Sequence, residues 1–190
     1  MLGRFDLLPL IRGQLKGLTQ DARKGNPADV AARVVLYGVP VILVLVAIGW
    51  NWKLASPVPI LTAVSLLAGG TLSAFSSISS LRLKLTEWSE DGDGRDVDRE
   101  SLDESVAHLF MIALACVIDA GILVVGLNIA QGPVGTPDQG SLLGISAALA
   151  IGVTAYIFLT FVMVLPRLYW AYTKMNRVSP KMNGFDARKR

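Results

Sequence analysis

Two residue types on which much enzyme chemistry depends are nearly missing from this chain, which holds one cysteine and one histidine. A single Cys116 excludes an intramolecular disulfide, and its place in an apolar run reads as a small packed side chain. His108 has only Glu104 as an i,i+4 neighbour and no third ligand close by, too few for a zinc site. There is no P-loop, no G-x-S-x-G and no Cys/His pair arranged for nucleophilic attack. The residues therefore predict a protein that is not an enzyme and carries no metal or cofactor.

Charge is scarce too, and what there is lies in clusters. The chain of 190 residues is 52% hydrophobic, with a mean hydropathy of +0.50, too apolar for an ordinary soluble domain. Four nearly uncharged segments are long enough to cross a bilayer, which takes about 20 residues per helix. They span roughly residues 34–50, 59–81, 105–130 and 141–165. The pattern predicts an all-α integral membrane four-helix bundle over residues 26–175. The first segment lies behind a basic stretch with no A-x-A-like cleavage site after it, unlike a signal peptide.

The basic residues orient the bundle. Six of the 18 Lys and Arg precede the first span, four lie between spans two and three, and seven follow span four. Only Lys53 falls in a loop on the other side. The positive-inside rule then predicts both termini and the central linker in the cytoplasm. Basic and aromatic residues do not interleave as in a nucleic-acid surface, so direct nucleic-acid binding is not expected.

Before the first span, residues 1–25 place Leu8, Ile11, Leu15 and Leu18 on one helical face with Arg12 and Lys16 beside it. That spacing suits an amphipathic helix in the inner-leaflet interface, or one packed on a neighbouring subunit. Asn26 and Pro27 suit the cap and first position of span one, and Pro40 inside that span predicts a kink. Trp50 and Trp52 mark the outer interface, Tyr169 and Trp170 the inner one, all in contact with lipid. The short turn between spans one and two predicts a tight hairpin.

Span two repeats small residues at Gly69, Ser73 and Ser77, and span four at Gly144, Ala148 and Gly152. Such spacing lets helices approach closely in lipid, so these positions are read as packing sites. Span two should continue as a helix past Ser80. The acidic linker, residues 86–104, superficially resembles a calcium loop. Counting from Asp91, however, the fifth position is Arg95 and the sixth is Asp96 rather than Gly, so the EF-hand pattern fails. Ser101 and Glu104 form a capping box for span three, and residues 176–190 form a basic cytoplasmic tail.

One residue breaks the apolar pattern. Asp119 stands in the middle of "LACVIDAGILVV". On an ideal helix it shares a narrow stripe with His108, Ile112, Ala115 and Gly126, with His108 about 16 Å away along the axis. An acid at the centre of a span costs about 2.5–3.5 kcal/mol on insertion scales. It should therefore turn into the bundle, towards Tyr37, Thr71, Ser146, Thr154 or Tyr156. There it serves either as interhelical glue or, with His108, as part of a conduction path.

Four stretches carry a family resemblance: "LYGVPVILVLVAIGW", "SLLAGGTLSAFSSISSLRLKL", "ESVAHLFMIALACVIDAGILVV" and "FLTFVMVLPRLYWAY". In their order, size and topology they resemble small four-span proteins of bacterial defence islands and prophages, including the membrane subunit of Kiwa-type anti-phage systems. The resemblance covers most of residues 30–175 and is one of pattern. It implies an oligomeric sensor or effector of the bacterial inner membrane that couples to a cytoplasmic protein partner. The alternatives are an oligomeric ion or proton channel, including a holin-like permeabilising protein, and a structural assembly subunit.

Overall fold

A computed structural model describes residues 27–88, 96–129 and 140–175, together with Ile11, Arg12, Gln14 and Val134. Four long helices make up nearly all of these: α1 (Pro27–Gly49), α2 (Pro57–Trp88), α3 (Asp96–Ile129) and α4 (Gly144–Met175). Each contains a stretch long and apolar enough to cross a membrane: Val30–Gly49, Pro57–Ser80, Ser105–Ile129 and Gly144–Pro166. The chain is an all-α four-helix bundle with the helices of a multi-pass membrane protein.

Local chemistry accounts for the helix ends. Pro27 opens α1, where a missing N–H costs nothing. At the other end Asn51 takes φ 48°, with Asn51 N–H on Ile48 O and Trp52 N–H on Ala47 O. That pair of bonds and the left-handed residue form a Schellman motif, which satisfies carbonyls the helix itself leaves unpaired. The helix assignment runs unbroken through Pro40. As the sequence predicts, α2 continues two turns past Ser80 to Trp88.

The start of α3 differs from expectation. Helix begins at Asp96, so Ser101 and Glu104 lie inside it rather than at its start. Asp96 and Asp98 fall in the first turn, where acidic residues complement the helix dipole and start the helix earlier. The linker of residues 86–104 is thus helical at both ends, and its middle, 89–95, lies outside the described residues. So do nearly all of residues 1–25 and all of the tail, 176–190.

The helices do not pack in chain order. α2 packs on α3, α3 on α4, and α4 on α1, each pair antiparallel, so the packing order is α2–α3–α4–α1. The expected α1–α2 hairpin is short in its turn but does not become a packed pair. α1 is seated on α4 instead: Gly152 of α4 is buried against Val44 and the Pro40 carbonyl of α1. Buried positions make up 44% and 33% of the crossing segments of α3 and α4, against 17% and 11% for α1 and α2. The two central helices carry the core, in which Ile112, Ala115 and Cys116 of α3 meet Val64 and Ile78 of α2 and Ile157 and Val164 of α4. Phe75 and Phe110 add a tilted ring contact, with centroids 4.6 Å apart, between α2 and α3. Between the α1–α2 and α3–α4 connections, Leu54 and Leu142 exchange two backbone hydrogen bonds of 3.0 and 2.9 Å and so tie the two loops together.

Candidate functional site

The acid of α3 lies where an unfavourable group can best be sheltered. Asp119 is fully buried, and Thr154 of α4 donates from Oγ1 to its Oδ2 at 2.7 Å. The other oxygen, Oδ1, is buried with no hydrogen-bond partner among the described residues. Thr154 is one of the five partners the sequence suggests. The others are engaged elsewhere: Thr71 donates to Ala68 O, Ser146 to Leu143 O, and Tyr156 accepts from Gln14. Tyr37 stacks on Tyr156, centroids 6.1 Å apart.

The stripe read from the sequence faces inward along its whole length. His108, Ile112, Ala115, Asp119 and Gly126 are all buried. His108 and Asp119 stay three turns apart and form no joint site. Near the end of α3, a Cβ on Gly126 would meet the Leu142 side chain at 2.8 Å, so that glycine makes room for the loop. Cys116, one turn from Asp119, is a packed core side chain. Among the described residues no three His, Cys, Asp or Glu side chains gather where they could hold a metal ion.

The small residues separate into two groups. Ala148 and Gly152 are buried, and a Cβ on Gly152 would run into Val44 Cγ2. Gly144 instead takes φ 67° at the start of α4, is exposed, and packs against nothing. Gly69, Ser73 and Ser77 are exposed on α2, and a Cβ on Gly69 would find no atom within 4 Å. They do not pack helices within one chain, because α2 turns its opposite face to α3. Trp50, Trp52 and Tyr169 are exposed near the helix ends; the Trp170 side chain lies outside the described residues.

A polar contact that the apolar pattern hides joins the N-terminal segment to α4. Gln14 is 2% exposed and donates from Nε2 to Tyr156 Oη at 2.7 Å. A glutamine beside a leucine-rich face reads from sequence as a hydrated edge, so only the folded chain reveals it.

With this geometry in hand, comparison with family models, curated proteins and solved structures finds no match for the chain. The class defined by fold and site is therefore that of a four-helix, multi-pass membrane protein with one enclosed acid.

Proposed function

We propose that this chain is a non-enzymatic, oligomeric sensor or effector of a bacterial inner membrane, with both termini cytoplasmic. Its cytoplasmic regions would contact a soluble protein partner, and anti-phage defence is the setting the family resemblance supplies. The basic residues support the orientation, since all but Lys53 belong to one side of an antiparallel bundle. The observation that carries the oligomer is the outward face of α2. Thr62, Ser65, Gly69, Ser73, Ser76 and Ser80 form one exposed stripe along a membrane-crossing helix. Small and hydroxyl residues gain little from acyl chains but allow a second helix to approach closely.

The test is purification of the tagged protein from its native operon, with phage plating of a deletion strain. Recovery of a cytoplasmic protein together with raised plating efficiency is expected. Recovery alone, with plating unchanged, would sink the reading.

A channel is the second reading, favoured by the same hydroxyl stripe, which an oligomer would gather into a polar path. Asp119 is turned away from that stripe and enclosed between α3 and α4. A path along α2 thus predicts ion flux in liposomes that is unchanged by Asp119→Asn and reduced by Ser73→Leu. A path along α3 predicts the opposite pair.

A further inference from the structure

We infer that Asp119 is a proton-binding site: at neutral pH the bundle holds it as the neutral acid, with the proton on Oδ1, and this proton keeps α3 closed on α4. The proton belongs to the fold whichever of the functions above the chain serves. Of the 15 Asp and Glu side chains, Asp119 alone lies within a crossing segment. It is also fully buried, on one of the two helices that carry the core.

The surroundings decide the charge state. From α4, Thr154 donates to Oδ2 at 2.7 Å, and the crossing segment of that helix has no Asp, Glu, Lys, Arg or His. The crossing segment of α2, which also packs on α3, has none either. On α3 itself the titratable groups are Cys116, one turn away, and His108, about 16 Å along the axis. Tyr156 of α4 is engaged with Gln14 and Tyr37, and Arg33 stands on α1, which the packing order separates from α3 by α4. Among the described residues no cation offsets a charge at Asp119, and Oδ1 has no hydrogen-bond partner. An isolated carboxylate is far costlier to bury than a hydroxyl, even a poorly bonded one, so a carboxyl placed here takes up a proton. The proton falls on Oδ1 because Oδ2 already accepts from Thr154.

Solvent does not relieve the site from the nearest groove. That groove, of about 540 Å³ between α3 and α4, is lined by Ile118 and Ile122 but not by Asp119 or Thr154. Proton binding and closure are then one equilibrium. On release the Oδ1–H bond breaks, its electron pair stays on the carboxylate, and the proton passes to water admitted as the helices part. The closed bundle holds one proton more than the opened one. Closure is therefore favoured at low pH and is lost as pH rises beyond the ordinary carboxylate range.

The test uses full-length protein in phosphatidylethanolamine/phosphatidylglycerol liposomes at neutral pH, read by infrared spectroscopy. The carbonyl stretch of a carboxylic acid should be present, should shift when aspartate carries heavy carbon at its side-chain carboxyl, and should be lost in Asp119→Asn. The heavy carbon identifies an aspartic acid even where the asparagine variant does not fold. Thr154→Val should move the band to higher frequency, because the carbonyl loses its donor. Absence of the band in the parent, or its survival in Asp119→Asn, would overturn the proton site. An unmoved band in Thr154→Val would overturn the placement of the proton on Oδ1. Closure is read from Cys116, the sole cysteine, which is buried one turn from Asp119. Its alkylation rate with a membrane-permeant maleimide, divided by the rate in Asp119→Asn, should rise about tenfold per pH unit as pH climbs towards the loss of the band. A ratio independent of pH would overturn the coupling of proton to closure.

Discussion

Helices α1 and α2 occupy the two ends of the packing order, and both leave most of their surface uncovered. Their outward faces are nevertheless opposites. α1 presents Val34, Val41, Ile42, Leu45 and Ile48, all exposed and large; α2 presents, beside exposed Leu66 and Leu72, a stripe of Thr62, Ser65, Gly69, Ser73, Ser76 and Ser80. The first surface matches acyl chains. The second leaves shallow hollows that lipid fills poorly and a neighbouring helix fills well. Two helices equally free in one chain are therefore suited to different surroundings.

Four of the outward hydroxyls on α2 bond to their own helix. Thr62 donates to Val58 O, Ser65 to Leu61 O, Ser77 to Ser73 O and Ser80 to Ser76 O. Each folds back one turn onto its own helix, so the face tolerates lipid without demanding a partner. α1 has the reverse arrangement, with its specific contact turned inward, at Gly152 of α4.

The largest effect should come from breaking that inward contact. Gly152→Val pushes a branched side chain into Val44 Cγ2, where even a Cβ has no room, and a valine on a helix has few other rotamers to retreat to. A loss of about 3 kcal/mol is expected, measurable as steric-trap unfolding in detergent micelles. Gly69→Val, with open space around it, should leave that measurement unchanged. Equal losses at both positions would erase the distinction between the two helices.

Next in size is the value of an enclosed hydroxyl. Thr154→Val deletes the donor to Asp119 Oδ2 and, among the described residues, leaves a fully buried carboxyl with neither oxygen bonded. The cost should be about 2 kcal/mol in the same assay. Ser77→Ala deletes an outward hydroxyl whose acceptor carbonyl belongs to a helix, and should cost less than about 0.5 kcal/mol. If the two substitutions cost the same, Asp119 is not held by Thr154 in the way the geometry implies.

Why some of this was legible in the sequence and some was not follows from the physics of each feature. Spans and their number follow from run length, because the bilayer sets one length for every helix. The inward turn of Asp119 follows from helical period and the cost of charge in hydrocarbon, two local facts. Which helix packs on which does not: α1 and α2 are joined by a short turn, yet Gly152 attracts α1 to α4, and that choice depends on surfaces meeting in space. For the same reason the small residues of span two and span four look alike in sequence. Gly152 is covered and Gly69 is not. Gln14 was hidden because its partner lies 142 positions away.

A third test addresses what covers α2. Ser73→Leu fills the middle of the stripe with a side chain that the single chain can accommodate, since the position is exposed. Stability of the monomer should change by less than about 0.5 kcal/mol. Self-association, followed by subunit exchange between differently labelled proteins, should weaken about tenfold, or about 1.4 kcal/mol. Unchanged exchange would leave α2 facing lipid like α1.

The smallest effect is the most discriminating. Ile42→Ala removes three carbons from the outer face of α1. In a soluble domain, burying such a side chain contributes about 1.5–3 kcal/mol. In a membrane the lipid replaces one set of apolar contacts with another, so no hydrophobic driving force is lost. Both stability and subunit exchange should stay within about 0.5 kcal/mol of the parent. A drop in association comparable to that of Ser73→Leu would mean that α1 too is covered by a neighbour. The two ends of the packing order would then meet in the assembly, α1 of one chain on α2 of the next, and the difference between the faces would be one of knob and hollow rather than of lipid and protein.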